Sequence, residues 1–152
     1  MSYSTNNCIK IVHFNNVTYD GFECFRNFLY KKGWAMPRVQ NVVVASIFLG
    51  INMGYKTIRL YGVDHSWTRT LGVNTKNQVC AVDSHFYDNQ PAHFTPYGKD
   101  PTTKKIMTLD ELLHAFARMF ESYHKLRKYA DSRRCRILNC TKDSFIDAFE
   151  RM

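Results

Sequence analysis

The sequence lacks several features that would assign a chain to a membrane, secreted or nucleotide-binding class. No apolar run approaches the roughly 20 residues that a helix needs to cross a bilayer, and the first residues, MSYSTNN, have neither the basic nor the apolar region of a secretory signal. We therefore expect a cytoplasmic chain. No glycine-rich loop of the G-x-G-x-x-G or Walker type occurs, so the sequence offers no standard phosphate-binding loop.

The cysteines do not form a disulfide or metal-binding framework. There are five, an odd number, and none belongs to a C-x-x-C motif. Such cysteines are typical of reduced side chains in a core or strand. The sequence also lacks an H-E-x-x-H motif, a Ser-His-Asp order and a paired-carboxylate signature, which disfavours zinc and hydrolase chemistry. We predict a chain without a metal or a cofactor.

Acidic residues are scarce relative to basic ones. The chain has 13 Asp and Glu against 21 Lys and Arg, a formal net charge of +8, and much of the excess lies in residues 124–136. This balance favours a phosphate-bearing or polyanionic partner, or an anionic membrane surface, which would place the chain at the periphery of the inner membrane. Nucleic acid is a less favoured partner, because no recognised nucleic-acid-binding motif is present.

The apolar content is sufficient for one domain over residues 1–152, since 45% of the residues are hydrophobic. Alternation of apolar and polar residues predicts a strand over 8–14. Helices are predicted over 19–33 and 37–54, the second of them buried, and a strand over 57–61 follows. One face of the first helix carries Phe22, Phe25, Phe28 and Leu29. The residues that mark the helix boundaries are Gly33, Pro37 and Gly54.

The second half of the chain begins with a predicted β-hairpin within residues 71–82 and a long loop over 83–105. A helix from Thr108 to about Ala130, a strand over 135–139 and a short helix that begins at Ser144 complete the prediction. Thr108 and Glu111 have the spacing of a capping box. The positions of the long helix that have core spacing are Leu109, Leu112, Leu113, Phe116, Phe120, Tyr123 and Leu126.

These elements predict an α/β fold. Strands 8–14, 57–61 and 135–139 would form a small, mostly parallel sheet in a partial Rossmann-like, three-layer domain, with a β-hairpin and a long loop after the central strand. A doubly wound nucleotide-binding fold normally has about five or six strands, so the chain resembles part of a larger fold. An exposed edge strand would then favour a homo-oligomer or pairing with a complementary chain.

In an open α/β sheet the ligand crevice lies beyond the carboxyl ends of the strands. Residues 62–67 (GVDHSW) and 139–144 (NCTKDS) follow two predicted strands and would share one rim. Asp64 could accept hydrogen bonds from sugar or nucleotide hydroxyls, or cap the turn after the glycine. His65, next to Trp67, could stack on a base or sugar ring, or pack within the protein.

The long loop holds the best candidates for proton transfer. His85 and His93 lie among aromatic residues, and histidine titrates near physiological pH, so either is a candidate general acid or base. Tyr87 and Tyr97 of the same region could donate phenolic hydrogen bonds to a phosphate.

Three segments, in order, resemble the bacterial lipooligosaccharide sialyltransferases of glycosyltransferase family 42 and the related MptE-like polysaccharide-biosynthesis proteins. The first is NVVVASIFLGINMGYKTIRLYGVDHSW, the second DSHFYDNQPAH and the third CRILNCTKDSFIDAF, and together they cover about residues 37–150. The positions that match the family pattern of the first segment are Gly54, Tyr55, Lys56, Ile58, Leu60, Gly62 and Asp64. The family's N-terminal nucleotide-binding loop has no counterpart in residues 1–36.

The resemblance implies transfer of a sugar from a nucleotide-activated donor to a glycan acceptor, by direct displacement and without a metal. It assigns the general base to His93, with His85 as the alternative. Ser66 stands where the family has a tyrosine that assists the departing phosphate; a serine can hydrogen-bond a phosphate but has a shorter reach. The donor-binding residues that we predict are Gly62, Asp64, His65, Ser66, Asn41, Tyr87, Tyr97 and Ser144.

Two other functions stay open at this point. The chain could be a non-catalytic, truncated module of the same fold that pairs with another chain. It could also be a pterin or nucleotide diphosphokinase, which would need Mg²⁺ held by carboxylates, and only Asp64, Asp83 and Asp88 are suitably placed in the sequence.

Overall fold

A computed structural model describes residues 8, 11, 13–82, 94–98 and 105–152 of the chain. The described helices are α1 (Glu23–Lys32), α2 (Val42–Asn52) and α3 (Leu109–Ser132), with a short 3-10 helix over Trp67–Thr70. The strands are β1 (Thr57–Leu60), β2 (Leu71–Val73), β3 (Val79–Val82), β4 (Phe94–Pro96), β5 (Arg136–Asn139) and β6 (Glu150–Arg151). They form a parallel sheet in the order β1-β5-β6 and an antiparallel sheet in the order β2-β3-β4. The mixed α/β class and the small parallel sheet are as predicted.

The parallel sheet contains two of the three predicted strands. β1 and β5 pair in parallel with Ile58 opposite Ile137. The third strand is β6 and not the predicted strand over 8–14. The described residues of that stretch, Cys8, Ile11, His13 and Phe14, are exposed and none lies in a strand. Alternation of residue type therefore gave a wrong prediction for these positions, which have no described strand to pair with.

The predicted helix at Ser144 is also wrong. The Ser144 hydroxyl donates to the Val63 carbonyl at 2.7 Å and accepts from the Ile146 amide at 3.2 Å. The Asn139 side chain donates to the Ile146 carbonyl at 2.9 Å. These side-chain bonds occupy backbone groups that a helix would use, and the segment instead leads into β6.

The apolar helix α2 begins at a polar cap. The Asn41 side chain accepts a hydrogen bond from the Val44 amide at 3.1 Å, so the helix begins at Val42, five residues beyond the predicted position at Pro37. Gly54 lies just past the helix with φ of 89°, the left-handed conformation predicted for the end of this helix. The buried face carries Val44, Ala45, Ile47, Phe48 and Ile51. None of the helices in the described residues combines the length and hydropathy that a membrane span requires.

The long helix α3 begins with the predicted capping box of Thr108 and Glu111. Most predicted core positions are buried, but Leu109 and Leu113 are 49% and 47% exposed. The central hydrophobic cluster reaches α3 only from Met119 onward, so the first turns of the helix extend beyond it. Helical spacing identified the correct face of α3 but not its extent.

Helix α1 is inverted relative to the usual amphipathic pattern. Its buried residues are Arg26 and Tyr30, whereas Phe22, Phe25 and Phe28 are exposed. The Tyr30 ring contacts those of Phe48 in α2 and Tyr129 in α3 edge-on, at 5.5 and 5.3 Å between centroids. Polar and aromatic contacts rather than the phenylalanine face therefore attach α1 to the other helices.

The helices cover one face of the parallel sheet. Leu60 and Ile137 belong to the central hydrophobic cluster that α2 and α3 share, and Ile58 packs against it. Thr57, Arg59 and Arg136, which alternate with them, are exposed on the opposite face. Leu138, opposite Arg59, also belongs to that face but is buried. Among the described residues, α2 and α3 lie on one side of this sheet, and the three-layer arrangement stays a prediction.

The antiparallel sheet contains the predicted hairpin and one further strand, which the sequence did not predict. Leu71 lies opposite Ala81 and Val73 opposite Val79, as expected for the hairpin. The additional strand, β4, pairs with β3 and lies inside the region predicted to be a continuous loop. Three residues are too few to give a periodic pattern, so pairing with β3 decides the structure there.

Candidate functional site

Two loops meet at the carboxyl ends of β1 and β5. The Thr141 hydroxyl donates to the Leu60 carbonyl at 3.2 Å and accepts from the Val63 amide at 3.1 Å. The Phe145 amide donates to the Asp64 carbonyl at 2.7 Å. Because β1 and β5 are parallel and paired along their whole length, their carboxyl ends lie side by side. Residues 62–67 and 140–145, which follow these ends, therefore form a single rim.

The turn that opens the rim places a carboxylate at the surface. Gly62 has φ of 67°, which a residue with a side chain rarely adopts. Asp64 is exposed, and one of its carboxylate oxygens accepts from the Ser66 amide at 3.2 Å and from the Ser66 hydroxyl. The hydrogen bonds from Ser66 lower the pKa of Asp64, so the carboxylate is ionised near neutral pH. Asp64 and Ser66 thus form a turn that caps itself and still faces solvent.

His65 points inward from the same turn. Its side chain is buried, with 6% exposure, and its backbone has φ of 52°, which histidine adopts more readily than most residues. The Nε2 atom lies 2.5 Å from the Tyr123 hydroxyl and 3.4 Å from Asn41 Nδ2. The Tyr123 hydroxyl in turn donates to Asn41 Oδ1 at 3.2 Å. A buried polar network therefore links the rim to α2 and α3.

Burial controls the protonation of this network. It lowers the pKa of His65, with a smaller opposite effect from the Asp64 carboxylate. Burial also raises the pKa of Tyr123 to about 12, although the hydrogen bond to Asn41 partly offsets this rise. Both groups are consequently neutral at physiological pH.

An aromatic stack extends from His65 to the antiparallel sheet. The His65 and Trp67 rings stack at 4.5 Å between centroids with 26° between planes, and Trp67 stacks on Phe116 at 6.1 Å. Phe116 meets the Tyr97 ring edge-on at 5.8 Å. Trp67 remains 40% exposed. One of its surfaces is thereby fixed by protein contacts while another part stays open to a ligand.

A pocket of about 250 Å³ lies beside this stack. It is lined by Trp67, Thr70, Ala81, Thr95, Pro96, Tyr97 and Gly98. Its walls come from the 3-10 helix, from β3, and from β4 and the turn that follows it. Two aromatic side chains and two threonine hydroxyls give it the mixed lining that small-molecule sites have.

The predicted site residues divide into three groups. Gly62, Asp64 and Ser66 lie at the surface of the rim, and Tyr97 lies in the adjoining pocket. His65, Asn41 and Ser144 hold the rim from inside, since both hydrogen-bonding capacities of the Ser144 hydroxyl are used by Val63 and Ile146. The remaining candidates lie outside the described residues: Asp83, His85, Tyr87, Asp88 and His93. In the part of the chain that the structure describes, no group of three His, Cys, Asp or Glu side chains could hold a metal ion.

The contribution of α3 to the site was not predicted from the sequence. Tyr123 and Phe116 were predicted only as core positions, yet one bonds His65 and the other joins Trp67 to Tyr97. A tyrosine at a fully buried helical position is a signal for such a role, because its hydroxyl requires a partner there.

Comparison of the chain with protein-family models, with curated proteins and with solved structures found no match.

Proposed function

We propose that the chain is a glycosyltransferase-like domain of surface polysaccharide synthesis, which takes a sugar from a nucleotide donor in the cytoplasm. The observation that carries the proposal is the joined rim at the ends of β1 and β5, with the pocket of Trp67 and Tyr97 beside it. Ligands of open α/β sheets bind at such an edge. The resemblance of residues 37–150 to sialyltransferases, which includes a Rossmann-like layout, supports a nucleotide-activated sugar as the ligand.

Three side chains of the rim and the adjoining pocket have a role in this proposal. The indole of Trp67 provides a flat apolar surface for a base or sugar ring, and the Tyr97 phenol provides a hydrogen bond to a phosphate. The ionised Asp64 accepts hydrogen bonds from sugar hydroxyls through the oxygen that Ser66 leaves open. His93, which directly precedes β4 in the sequence, is the proposed base, with His85 as the alternative.

Calorimetry with cytidine monophosphate tests donor binding. We expect millimolar-range affinity for the full chain and a loss of about tenfold in Trp67→Ala, since stacking on an aromatic side chain contributes roughly a factor of ten per base. Trp34→Ala is the matched control, because Trp34 is also exposed but lies beyond the end of α1. Equal affinity of both variants, or no binding by the unmodified chain, contradicts the proposal.

A second candidate function, pairing with another copy of the chain, is favoured by the free edge of β1. Lys56 and Leu60 direct their carbonyls towards β5, so the backbone groups of Thr57 and Arg59 point to the other side. Among the described residues no strand pairs with that side. A groove of about 460 Å³ runs along it between α2 and β1, with Val43, Tyr55 and Tyr61 among its lining residues.

Antiparallel pairing of two β1 strands fits this edge in one register. With Ile58 opposite its own copy, Thr57 lies opposite Arg59 of the second molecule, and four backbone hydrogen bonds can form. Arg59→Pro removes one donor on the free side without touching the bonds to β5, whereas Arg59→Ala removes only the side chain. We expect light scattering to show a dimer for the unmodified chain and Arg59→Ala, and a monomer for Arg59→Pro. A monomer in all three excludes this pairing.

A further inference from the structure

The exposed side of α1 and the residues that flank it carry a row of aromatic rings. We name the row formed by Phe22, Phe25, Phe28 and Trp34 the aromatic ridge. Phe25 stacks on Phe28 at 6.3 Å between centroids, and Phe28 meets Trp34 edge-on at 6.0 Å. The four side chains are 87%, 51%, 46% and 58% exposed in this order. Contiguous apolar surface of this kind marks an interaction site on a protein.

The buried side of α1 holds a charged residue, although the helix has phenylalanines that could be buried there instead. Arg26 is buried, and neither its Nε nor its Nη2 atom has a hydrogen-bond partner among the described residues. Its nearest carboxylate oxygen, on Glu23, lies 3.6 Å away. A helix that only needed to pack against the core would bury the phenylalanines and expose the arginine. The sequence therefore keeps the ridge outside at a cost in burial energy.

Charges around the ridge favour an anionic surface as its partner. The acidic groups near α1 are paired, because Asp20 contacts Lys125 at 3.0 Å and Glu23 lies near Arg26 and Lys128. Lys31 and Lys32 are exposed in the last turn, beside Trp34, and no described carboxylate lies within 4.0 Å of either. The ammonium group of Lys32 lies 6.0 Å from the Phe28 ring. Aromatic and cationic side chains thus occupy one surface.

We propose that the aromatic ridge and Lys31 and Lys32 dock the chain on an anionic lipid bilayer. Phenylalanine and tryptophan rings enter the boundary between headgroups and acyl chains, while lysines contact the lipid phosphates. A second copy of the chain fits the ridge less well, because pairing two ridges would bring the lysines of both copies together. The inference is independent of the proposed sugar transfer and concerns a different part of the chain.

Tryptophan fluorescence tests this docking directly, because the chain has two tryptophans and only Trp34 belongs to the ridge. In Trp67→Phe, vesicles of phosphatidylglycerol and phosphatidylcholine should shift the Trp34 emission to the blue, and phosphatidylcholine alone should not. In Trp34→Phe, the emission of Trp67 should stay unchanged. An unchanged Trp34 emission with anionic vesicles overturns the proposal.

Two sets of variants distinguish lipid docking from self-association through the ridge. Lys31→Gln with Lys32→Gln should weaken binding to anionic vesicles about 25-fold, roughly fivefold for each lysine. Phe22→Ser with Phe25→Ser should abolish vesicle flotation, whereas Val42→Ser with Val73→Ser, at exposed apolar sites elsewhere, should retain it. The proposal is overturned if the Phe22→Ser, Phe25→Ser variant still floats with vesicles. It is also overturned if the unmodified chain self-associates and only this variant does not.

Discussion

His65 shows how a single residue connects the surface of the site to the interior. Its backbone adopts a left-handed conformation between the exposed Asp64 and Ser66, and its ring enters the core. Such a conformation costs about 1–3 kcal/mol for a residue other than glycine, and the hydrogen bond to Tyr123 offsets part of it. The shape of the rim therefore depends on contacts in the interior of the protein.

Tyr123→Phe should destabilise the protein by about 1–3 kcal/mol, because it leaves the Nε2 atom of His65 buried without its closest partner. Urea unfolding measures the change. Tyr55→Phe provides the control, since Tyr55 is 61% exposed and should change the free energy of unfolding by less than about 0.5 kcal/mol. Equal stability of the two variants would show that the network contributes nothing to folding.

Stability should also depend on the protonation of His65. Burial lowers its pKa in the folded state, so the unfolded chain takes up a proton first as the pH falls through about 6.5. The free energy of unfolding should therefore be highest above that pH and fall as the pH drops towards the lower pKa of the folded state. His65→Asn, which suits a left-handed backbone, should flatten this dependence, whereas His13→Asn at an exposed site should not. Parallel pH profiles for the unmodified chain and His65→Asn would contradict this assignment.

The N-caps of α2 and α3 are both polar side chains, but they should contribute differently to the free energy of unfolding. Thr108 caps α3 at an exposed end, whereas Asn41 both caps α2 and bonds the Tyr123 hydroxyl. Thr108→Ala should cost about 1 kcal/mol, the usual value of an N-cap. Asn41→Ala should cost roughly 1 kcal/mol more, because the buried Tyr123 hydroxyl also loses an acceptor. Chemical denaturation of both variants, with Thr108→Ser as the conservative control, tests the order; the reverse order would contradict it.

The elements that the sequence predicted correctly are those with local signals. The capping box of α3, Gly54 after α2 and the hairpin of β2 and β3 each depend on residues close together in the chain. Such signals also located the rim at Gly62. By contrast, β6 replaces the predicted third strand because Ser144 bonds Val63, 81 positions away. No local pattern contains a contact of that separation.

Site residues follow the same division. Asp64 and Ser66 belong to one turn and could be identified together, whereas the link between His65 and Tyr123 spans 58 positions and emerges only in the fold. The inverted α1 helix is a different case. Its phenylalanine spacing correctly indicated one face, but spacing cannot tell whether a face meets the core or a partner.

At the scale of the whole molecule, α3 joins two sheets that do not share strands. Its later turns pack on the parallel sheet through the central cluster, and its earlier part reaches the antiparallel sheet through Phe116. Phe116 is 8% exposed and contacts both Trp67 and Tyr97, the two aromatic walls of the pocket. This one side chain therefore connects the two aromatic walls of the pocket.

Phe116→Ala should therefore act locally as well as globally. We expect a loss of about 3–5 kcal/mol, as for other buried phenylalanines, and a selective loss of hydrogen-exchange protection in β2 and β3. Leu126→Ala, in the same helix but inside the central cluster, should instead lower protection in β1 and β5 as much as in the antiparallel sheet. A uniform loss in both variants would mean that the two sheets unfold as one unit. The predicted difference would show that the pocket walls form a separate, less stable unit of the fold, held to the rest through Phe116.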